Sequence, residues 1–311
     1  MVERLRLGML APALLLAIAG GPCDAAIVAV DDAGRSLSFE HPPARVVTLA
    51  PSLTELVFAA GAGAAIVATT ALSDYPPAAR SIARVGDATR LDVERLVALR
   101  PDLVIVWRTG NTMREIDQLE AAGLRVFRLE PQRLDDVPRA IERLGLLLGH
   151  QEQARAEAQA LRTRLAELRR RPGAAAPVRV FYQVWSSPLL TINRQQIVSD
   201  VIELCGGGNV FAGLAPLVPQ VSIEAVLAAD PEAIVSADEH GGTESLRRGA
   251  DTAAFAMWQP YRSLSAIKGR WLYTLNGDAI SRPGPRIADG AAAMCQALDQ
   301  VRQERAALPQ R

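Results

Sequence analysis

Two glutamates stand at equivalent positions in a segment that the chain contains twice. Glu94 lies in the stretch from Leu91 to Val106. Glu224 lies in a similar stretch from Val221 to Ser236, 130 residues further on. A helix dipole favours a carboxylate in the first turn, and this effect alone explains either residue. Because both occupy the same position of the repeat, we favour a pair of docking groups that meet arginines on a partner protein.

Two tryptophans come at the ends of predicted strands, one in each half of the chain. Trp107 ends an apolar strand that begins at Leu103, and Trp185 follows a strand that begins at Val178. Parallel α/β sheets bind ligands at the carboxyl ends of their strands, and an indole offers a large apolar face with one hydrogen-bond donor. Both residues are therefore candidate walls of a ligand site. Core packing is the alternative for each.

Two smaller candidates lie in the first half of the chain. Ser52 opens a Ser-Leu-Thr-Glu sequence after the predicted strand Val46 to Leu49. This capping-box pattern predicts the start of a helix, where the hydroxyl can cap the helix, face a ligand, or do both. Tyr75 lies in the predicted turn Ser73 to Pro77 and is either a pocket wall or only a turn residue.

Motifs for catalysis are scarce. The three histidines, His41, His150 and His240, are far apart and show no metal-ligand spacing. Gly61-Ala62-Gly63 follows a predicted helix, whereas a dinucleotide-binding loop follows a strand. Neither a nucleophile elbow nor a P-loop occurs in the sequence. We therefore expect no cofactor and no metal, and an enzyme that uses the cleft is kept only as the alternative of another class.

Short apolar strands alternate with helices in both halves, which is typical of parallel α/β folds. Between them, apolar residues recur at spacings of three and four from Ala154 to Leu168, which predicts a long amphipathic helix. The predicted fold class is α/β, with two Rossmann-like lobes joined by a single long rigid helix and a ligand cleft between the lobes. A stiff helix predicts small rocking motions rather than wide closure. The predicted units are a signal peptide (1–25), an N-terminal lobe (26–137), a connecting helix (138–172) and a C-terminal lobe (173–311).

The charges of the chain balance. Lys and Arg together number 34, as do Asp and Glu, so no net field favours nucleic acid or an anionic membrane. A positive start, an apolar run from Leu7 to Ala19 and small residues ending at Ala25 predict an export signal. An uncleaved anchor is one alternative. Lipidation of Cys23 is another, although Pro22 directly before it suits such a site badly.

Removal of the signal leaves two cysteines, Cys205 and Cys295. Two thiols in an exported chain usually pair, and two separate buried thiols are the alternative. A bridge would close a loop of about 90 residues and contribute about 4 kcal/mol in the chain-entropy treatment.

Six segments together resemble the vitamin B12-binding members of the helical-backbone solute receptors of ABC importers. They are RVVTLAPSLTELVFAAG, SDYPP, LVALRPDLVIVWR, ELCGGGNVF, PQVSIEAVLA and PRIADGAAAMCQAL. The resemblance runs from about Ala44 to Leu298, nearly all of the mature chain. The same receptor family includes proteins that bind iron siderophores and haem.

The resemblance implies two α/β lobes, one long connecting helix and a shallow cleft. It implies that Glu94 and Glu224 dock onto arginines of the membrane permease, and that Cys205 and Cys295 form a disulfide. The ligand-contacting stretch of the family falls on Asp278, Ala279, Ile280, Ser281 and Arg282.

The sequence departs from this family in the cleft. Four positions that are aromatic in the B12-binding members are not aromatic here: Leu72, Ala88, Val218 and Ala279. Trp107 is kept, and Trp185 lies one place beyond another lost aromatic. Cobalamin is contacted mostly through van der Waals surface, so these departures weaken the identification of the ligand without excluding it.

We therefore expect a monomeric periplasmic solute-binding protein, not an enzyme, that delivers cobalamin or a related corrinoid to the permease dimer of an ABC importer. A ferric siderophore or haem receptor is the alternative within the family, and the scarcity of histidines argues against haem iron ligation. The expected ligand-binding residues are Ser52, Leu72, Tyr75, Trp107, Trp185, Val218, Asp278, Ala279, Ile280, Ser281 and Arg282.

Overall fold

The computed structural model describes residues 26–87, 90–170, 177–238, 245–249 and 253–307. The predicted signal peptide with Cys23, the position Ala88 and the third histidine, His240, lie outside the described residues.

Two lobes follow each other along the chain. The first contains β1 (Ile27–Val30), β2 (Ser36–Phe39), β3 (Val46–Thr48), α1 (Pro51–Ala59), β4 (Ile66–Thr69), β5 (Ala83–Arg84), α2 (Val93–Ala98), β6 (Leu103–Trp107), α3 (Met113–Ala121), β7 (Val126–Leu129) and α4 (Asp136–Leu147). The connecting helix is α5 (Gln151–Arg169). The second lobe contains β8 (Val178–Gln183), β9 (Trp185–Ser186), β10 (Leu189–Leu190), α6 (Ile197–Leu204), β11 (Gly207–Asn209), α7 (Ile223–Ala229), β12 (Ala233–Ala237), β13 (Leu246–Arg248), α8 (Ser265–Lys268), β14 (Leu272–Leu275), α9 (Gly277–Ser281) and α10 (Ile287–Ala307).

Each lobe is built on a five-stranded sheet. The order in the first lobe is β5-β4-β3-β6-β7, and all neighbouring strands are parallel. The order in the second lobe is β11-β8-β12-β14-β13, parallel except for the edge strand β13. The predicted α/β fold class, with two lobes joined by one helix, is confirmed. The exact domain boundaries stay a prediction.

The internal repeat has the predicted structure in both lobes. The Asp92 side chain accepts a hydrogen bond from the backbone N–H of Arg95 (3.0 Å) and caps α2. The Ser222 hydroxyl accepts one from the N–H of Ala225 (3.2 Å) and caps α7. Each helix then leads into an inner strand, β6 or β12, that pairs with the strand preceding it in the sheet order. Local capping therefore explains why sequence reasoning located these helices well.

The connecting helix is shorter than predicted. The range 138–172 was expected to form one helix, but α4 ends at Leu147, Gly149 adopts a left-handed backbone (φ +79°), and α5 starts at Gln151. The two helices then pack side by side. Gly145 lies within α4 and permits this close packing, since a Cβ there would overlap the Cβ of Ala154 on α5. The apolar stripe of α5 is buried as predicted, and α4 belongs to the first lobe.

Buried apolar side chains link the lobes into one body. The largest cluster includes Leu56 on α1, Leu144 on α4, Leu161 on α5, Val201 on α6 and Leu298 on α10. Each lobe has one further apolar cluster of its own, packed against its sheet. The two lobes and α5 thus share a continuous core, which favours small relative motions.

The predicted disulfide is present. Cys205, at the end of α6, is bonded to Cys295 on α10, with their Cα atoms 4.6 Å apart. Both residues are buried, so the bond fastens the last helix to the rest of the second lobe.

The same helix is held near its end by Glu304. Its carboxylate accepts hydrogen bonds from the guanidinium of Arg248 on β13 and from the indole Nε1 of Trp271 (2.8 Å). The Arg248 and Trp271 donors together lower the pKa of Glu304 to about 2. Glu304 is therefore charged whenever the protein is near neutral pH.

Candidate functional site

The carboxyl ends of the two sheets face each other across the space between the lobes. Helix α1 begins three residues after the end of β3, and α9 begins two residues after the end of β14. Side chains from these two helices and the segments beside them meet directly, as described next. This is the edge at which parallel α/β sheets bind ligands.

A cluster of charged side chains joins the lobes at the base of this cleft. Arg286 donates to Glu55 through Nε (3.0 Å) and through a terminal nitrogen (2.7 Å). Arg282 lies 3.4 Å from Glu55, 3.4 Å from Asp74 and 2.6 Å from Asp278. The Glu55 side chain is 1% exposed. Two arginines of the second lobe are thus held by carboxylates of the first.

Burial dominates the titration of this glutamate. Desolvation raises the pKa of Glu55, while hydrogen bonds and charge from Arg286, and then from Arg282, act in the opposite direction. A carboxylate removed from water is costly unless cations compensate it. Bidentate pairing with Arg286 supplies that compensation here.

Tyr75 is fixed by the same cluster. The guanidinium of Arg286 lies 4.3 Å from the centre of the Tyr75 ring, within the range of a cation–π contact. The ring remains partly exposed at the cleft. Tyr75 is therefore more than a turn residue, and its placement fits the prediction of a pocket wall.

The capping box predicted at Ser52 is absent. Helix α1 begins at Pro51, its N-cap is Ala50, and no side chain caps it. Proline is well suited to the first helical position because its fixed φ fits and its missing N–H is not needed there. Ser52 is nearly buried, so little of it is available to a ligand. Glu55, which the capping pattern assigned to the helix start, is instead the centre of the charged cluster.

Exposed apolar side chains lie after the carboxyl ends of strands in both lobes. Trp107, at the end of β6, is 39% exposed, and Trp185, just after β8, is 45% exposed. Leu72, in the loop after β4, has a left-handed backbone (φ +63°) that is unusual for leucine. Val218, in the loop before α7, is also exposed. These four predicted positions all present apolar surface at the carboxyl ends of the sheets.

Three further exposed apolar residues stand at this edge of the second lobe: Val184, Leu214 and Leu217. Val184 is the position directly before Trp185, where the sequence analysis noted a lost aromatic. Sequence reasoning missed Leu214 and Leu217, for which the available signal was large apolar residues inside a loop rich in Gly and Pro between Phe211 and Pro219.

The predicted stretch on α9 divides into two groups. Ile280 is fully buried and Ala279 nearly so, because their side chains point into the core beneath the helix. Their side chains offer little surface to a ligand, and the assignment of these two positions to the ligand site stays a prediction. Ser281 is exposed and Asp278 is partly exposed. Arg282 is present at the cleft but is held by three carboxylates.

Glu94 and Glu224 lie on the same side of the molecule as the cleft. Both are exposed, near the N-terminal ends of α2 and α7. Each helix leads into a parallel inner strand, so its N-terminus lies at the carboxyl edge of its sheet. Within the described ranges neither carboxylate forms an ion pair. The backbone N–H of Glu224 and the Ser222 hydroxyl lower the pKa of Glu224, so this carboxylate is charged and open to a partner.

Two kinds of site are not found in the described part of the chain. No group of three or more His, Cys, Asp or Glu side chains there is arranged to hold a metal ion. Among the same residues, no helix combines the length and apolar character that crossing a membrane requires.

Similar proteins agree on the family. Residues 46–279 match the family described as periplasmic binding protein. The vitamin B12-binding protein of Photorhabdus laumondii is 37% identical over 266 residues, covering 84% of this chain and 92% of that protein. The crystal structure of the periplasmic vitamin B12-binding protein BtuF of Vibrio cholerae matches with a TM-score of 0.76 and 34% identity, over 85% of this chain and 99% of that one. A periplasmic heme-binding protein from Pseudomonas aeruginosa matches with a TM-score of 0.68 and 28% identity, over 82% of this chain and 92% of that one.

These relatives are named as binding proteins and not as enzymes. Their similarity extends over both lobes and the connecting helix, because it covers more than four fifths of the chain in each case. The two-lobed fold agrees with the family that the sequence match indicates. The chain belongs to the periplasmic binding protein family.

Proposed function

We propose that this protein binds cobalamin or a related corrinoid in the cleft between its lobes and delivers it to the permease of an ABC importer. The observation that carries the proposal is the 37% identity, over most of both chains, to a protein named as vitamin B12-binding. Neighbours whose names refer to haem or iron are more distant, at 20–28% identity.

The surface of the cleft supports a large ligand with extensive apolar faces. Trp107 and Trp185 are exposed, one in each lobe, and Leu72 and Val218 add exposed aliphatic surface. Burial of such surface provides most of the binding energy for a ligand of this kind. Asp278, Ser281 and Tyr75 supply polar atoms at its edge. The corrinoid is cargo, so the function requires no resident cofactor.

Glu94 and Glu224 are proposed to dock onto the permease. They are exposed, lie on the cleft side, and stand at equivalent positions of the two lobes. A pair of carboxylates at a fixed separation can be recognised by matching arginines on a two-fold symmetric permease dimer. The receptor is proposed to act as a monomer, with one glutamate for each half of that dimer.

Export is proposed to use residues 1–25 as a cleaved signal peptide, which is consistent with the family. Cleavage near Ala25 would release the protein into the periplasm without Cys23. Mass spectrometry of the mature protein gives its first residue directly, and a lipid on Cys23 would contradict this proposal.

Calorimetric titration of the purified mature protein with cyanocobalamin tests the ligand. We expect saturable binding with one site. Haemin and a ferric hydroxamate siderophore, titrated under the same conditions, serve as the comparison ligands. Absence of heat with cyanocobalamin at tens of micromolar, together with saturable binding of either comparison ligand, would refute the corrinoid assignment. Turnover of a bound molecule by the receptor alone would favour an enzyme.

A further inference from the structure

The carboxylate of Glu55 forms hydrogen bonds that connect the two lobes. Glu55 belongs to α1 of the first lobe, whereas Arg282 and Arg286 belong to the segment between α9 and α10 of the second. Glu55 accepts hydrogen bonds of 2.7 and 3.0 Å from Arg286 and one of 3.4 Å from Arg282. Every one of these bonds crosses from one lobe to the other.

The carboxylate of Glu55 is almost completely removed from solvent. The Glu55 side chain is 1% exposed, and those of Arg282 and Arg286 are each 17% exposed. The backbone at Gly284 closes over the carboxylate, since a Cβ there would lie only 3.3 Å from Glu55 Oε2. Because the carboxylate is buried in this closed arrangement, its charge is compensated mainly by the two arginines, and loss of that compensation is strongly unfavourable.

Arg282 has partners on both sides of the cleft. Within its own lobe it pairs with Asp278 at 2.6 Å, and across the cleft it lies 3.4 Å from both Glu55 and Asp74. Asp74 is half exposed, so its pull on the arginine is weakened by solvent. Without Glu55, the shortest remaining pair would hold Arg282 against its own lobe. Glu55 is therefore the group that keeps Arg282 bridging the lobes.

Glu55 also reaches an aromatic wall of the cleft through Arg286. The bidentate pair fixes the guanidinium of Arg286, whose central carbon lies 4.3 Å from the centre of the Tyr75 ring. A cavity of about 320 Å³ lies beside this arrangement, lined in part by Glu55, Phe58, Tyr75, Glu157, Pro285 and Arg286. The open space beside the ring allows Tyr75 to turn away once Arg286 is released.

We propose that Glu55 is a positioning residue for ligand binding, which fixes the separation of the lobes through Arg282 and Arg286 and thereby holds Tyr75 at the cleft. Loss of this carboxylate lets the lobes rock slightly apart at the cleft while the core that they share stays intact. The affinity part of the proposal rests on the proposed corrinoid function. The lobe separation does not, because it exists without ligand.

Spin-label distances across the cleft test the proposal directly. The pair Arg95→Cys and Ala228→Cys places labels on exposed positions of α2 and α7, one in each lobe. Cys205 and Cys295 are bonded to each other and stay unlabelled, and the labelled protein starts after Cys23. In the ligand-free protein we expect Glu55→Gln to lengthen the mean distance and broaden its distribution. The dissociation constant for cyanocobalamin should rise by about tenfold or more, mainly through faster dissociation.

Three companions to this variant separate positioning from plain loss of stability. Asp289→Asn removes the exposed ion pair with Arg164 and should match the wild type in both measurements. Arg286→Lys keeps a cation but loses the bidentate geometry, so it should shift the distance by less than Glu55→Gln. It also serves as the test if Glu55→Gln does not fold. Glu55→Gln combined with Arg286→Gln should be no worse than either change alone, because the two groups act as a unit.

A distance distribution in Glu55→Gln that equals that of the wild type would overturn the proposal, whatever the affinity. A lengthened distance with unchanged cyanocobalamin affinity would overturn the link to ligand binding. If the wild type itself does not bind cyanocobalamin, the proposed function fails, and the distances alone still decide whether Glu55 sets the lobe separation.

Discussion

Removal of the Trp107 indole should weaken corrinoid binding by nearly two orders of magnitude. The residue is 39% exposed at the cleft, and a tryptophan side chain presents up to about 250 Å². About 100 Å² is therefore open to a ligand, and its burial contributes about 2.5 kcal/mol at about 25 cal/mol per Å². That free energy corresponds to about a 60-fold increase in the dissociation constant for Trp107→Ala.

Calorimetric titration with cyanocobalamin measures this change. Trp107→Phe keeps most of the apolar face and should lose only a minor part of the affinity. Leu146→Ala is the matched control, because Leu146 is 38% exposed but lies near the end of α4, remote from the cleft. An affinity of Trp107→Ala within twofold of the wild type would refute the assignment of this indole to the cleft wall. An equal loss in Leu146→Ala would mean that the effect is not local.

Three further outcomes are expected. Reversing the charge of Glu94 and Glu224 together should abolish uptake by cells while calorimetry shows unchanged ligand affinity; continued uptake would contradict the docking role. Replacing Cys205 and Cys295 by serine should lower the free energy of unfolding in urea by about 4 kcal/mol, since the bond closes a loop of 90 residues. The depressed pKa of Glu304 means that its contribution to stability is present above pH 4.5 and is lost as the pH falls towards 2. Glu304→Gln should therefore be less stable than the wild type in urea unfolding at pH 6, and the difference should shrink at pH 2.5; a constant difference would rule out this origin.

Features that depend on neighbouring residues were predictable from the sequence. Helix α7 has the predicted bounds because Ser222 caps it and a proline follows it within a few residues. The strand from Leu103 to Trp107 also agrees, since a buried parallel strand is recognisable as a continuous apolar run. The pairing of Cys205 with Cys295 followed from their being the two cysteines left after the signal.

Features that depend on contacts between distant parts of the chain could not be predicted from the sequence. Glu55 looked like a helix-start residue because its partners, Arg282 and Arg286, lie 227 and 231 residues further along the chain. Gly145 and Gly149 looked alike in sequence, yet the first allows two helices to touch and the second ends one of them. Which glycine interrupts a helix is decided by what packs against it. Likewise, the burial of Ile280 beneath α9 could not be read from a motif that places its neighbours at the cleft.

The continuous core has a consequence for how the molecule comes apart. Side chains of α1, α5 and α10 belong to one apolar cluster that neither sheet could bury alone. Cutting the chain between the two sheets would therefore expose this surface on both fragments, and neither half would be a self-sufficient folding unit. Heat or denaturant should melt the two lobes together in one cooperative step, despite their repeated architecture.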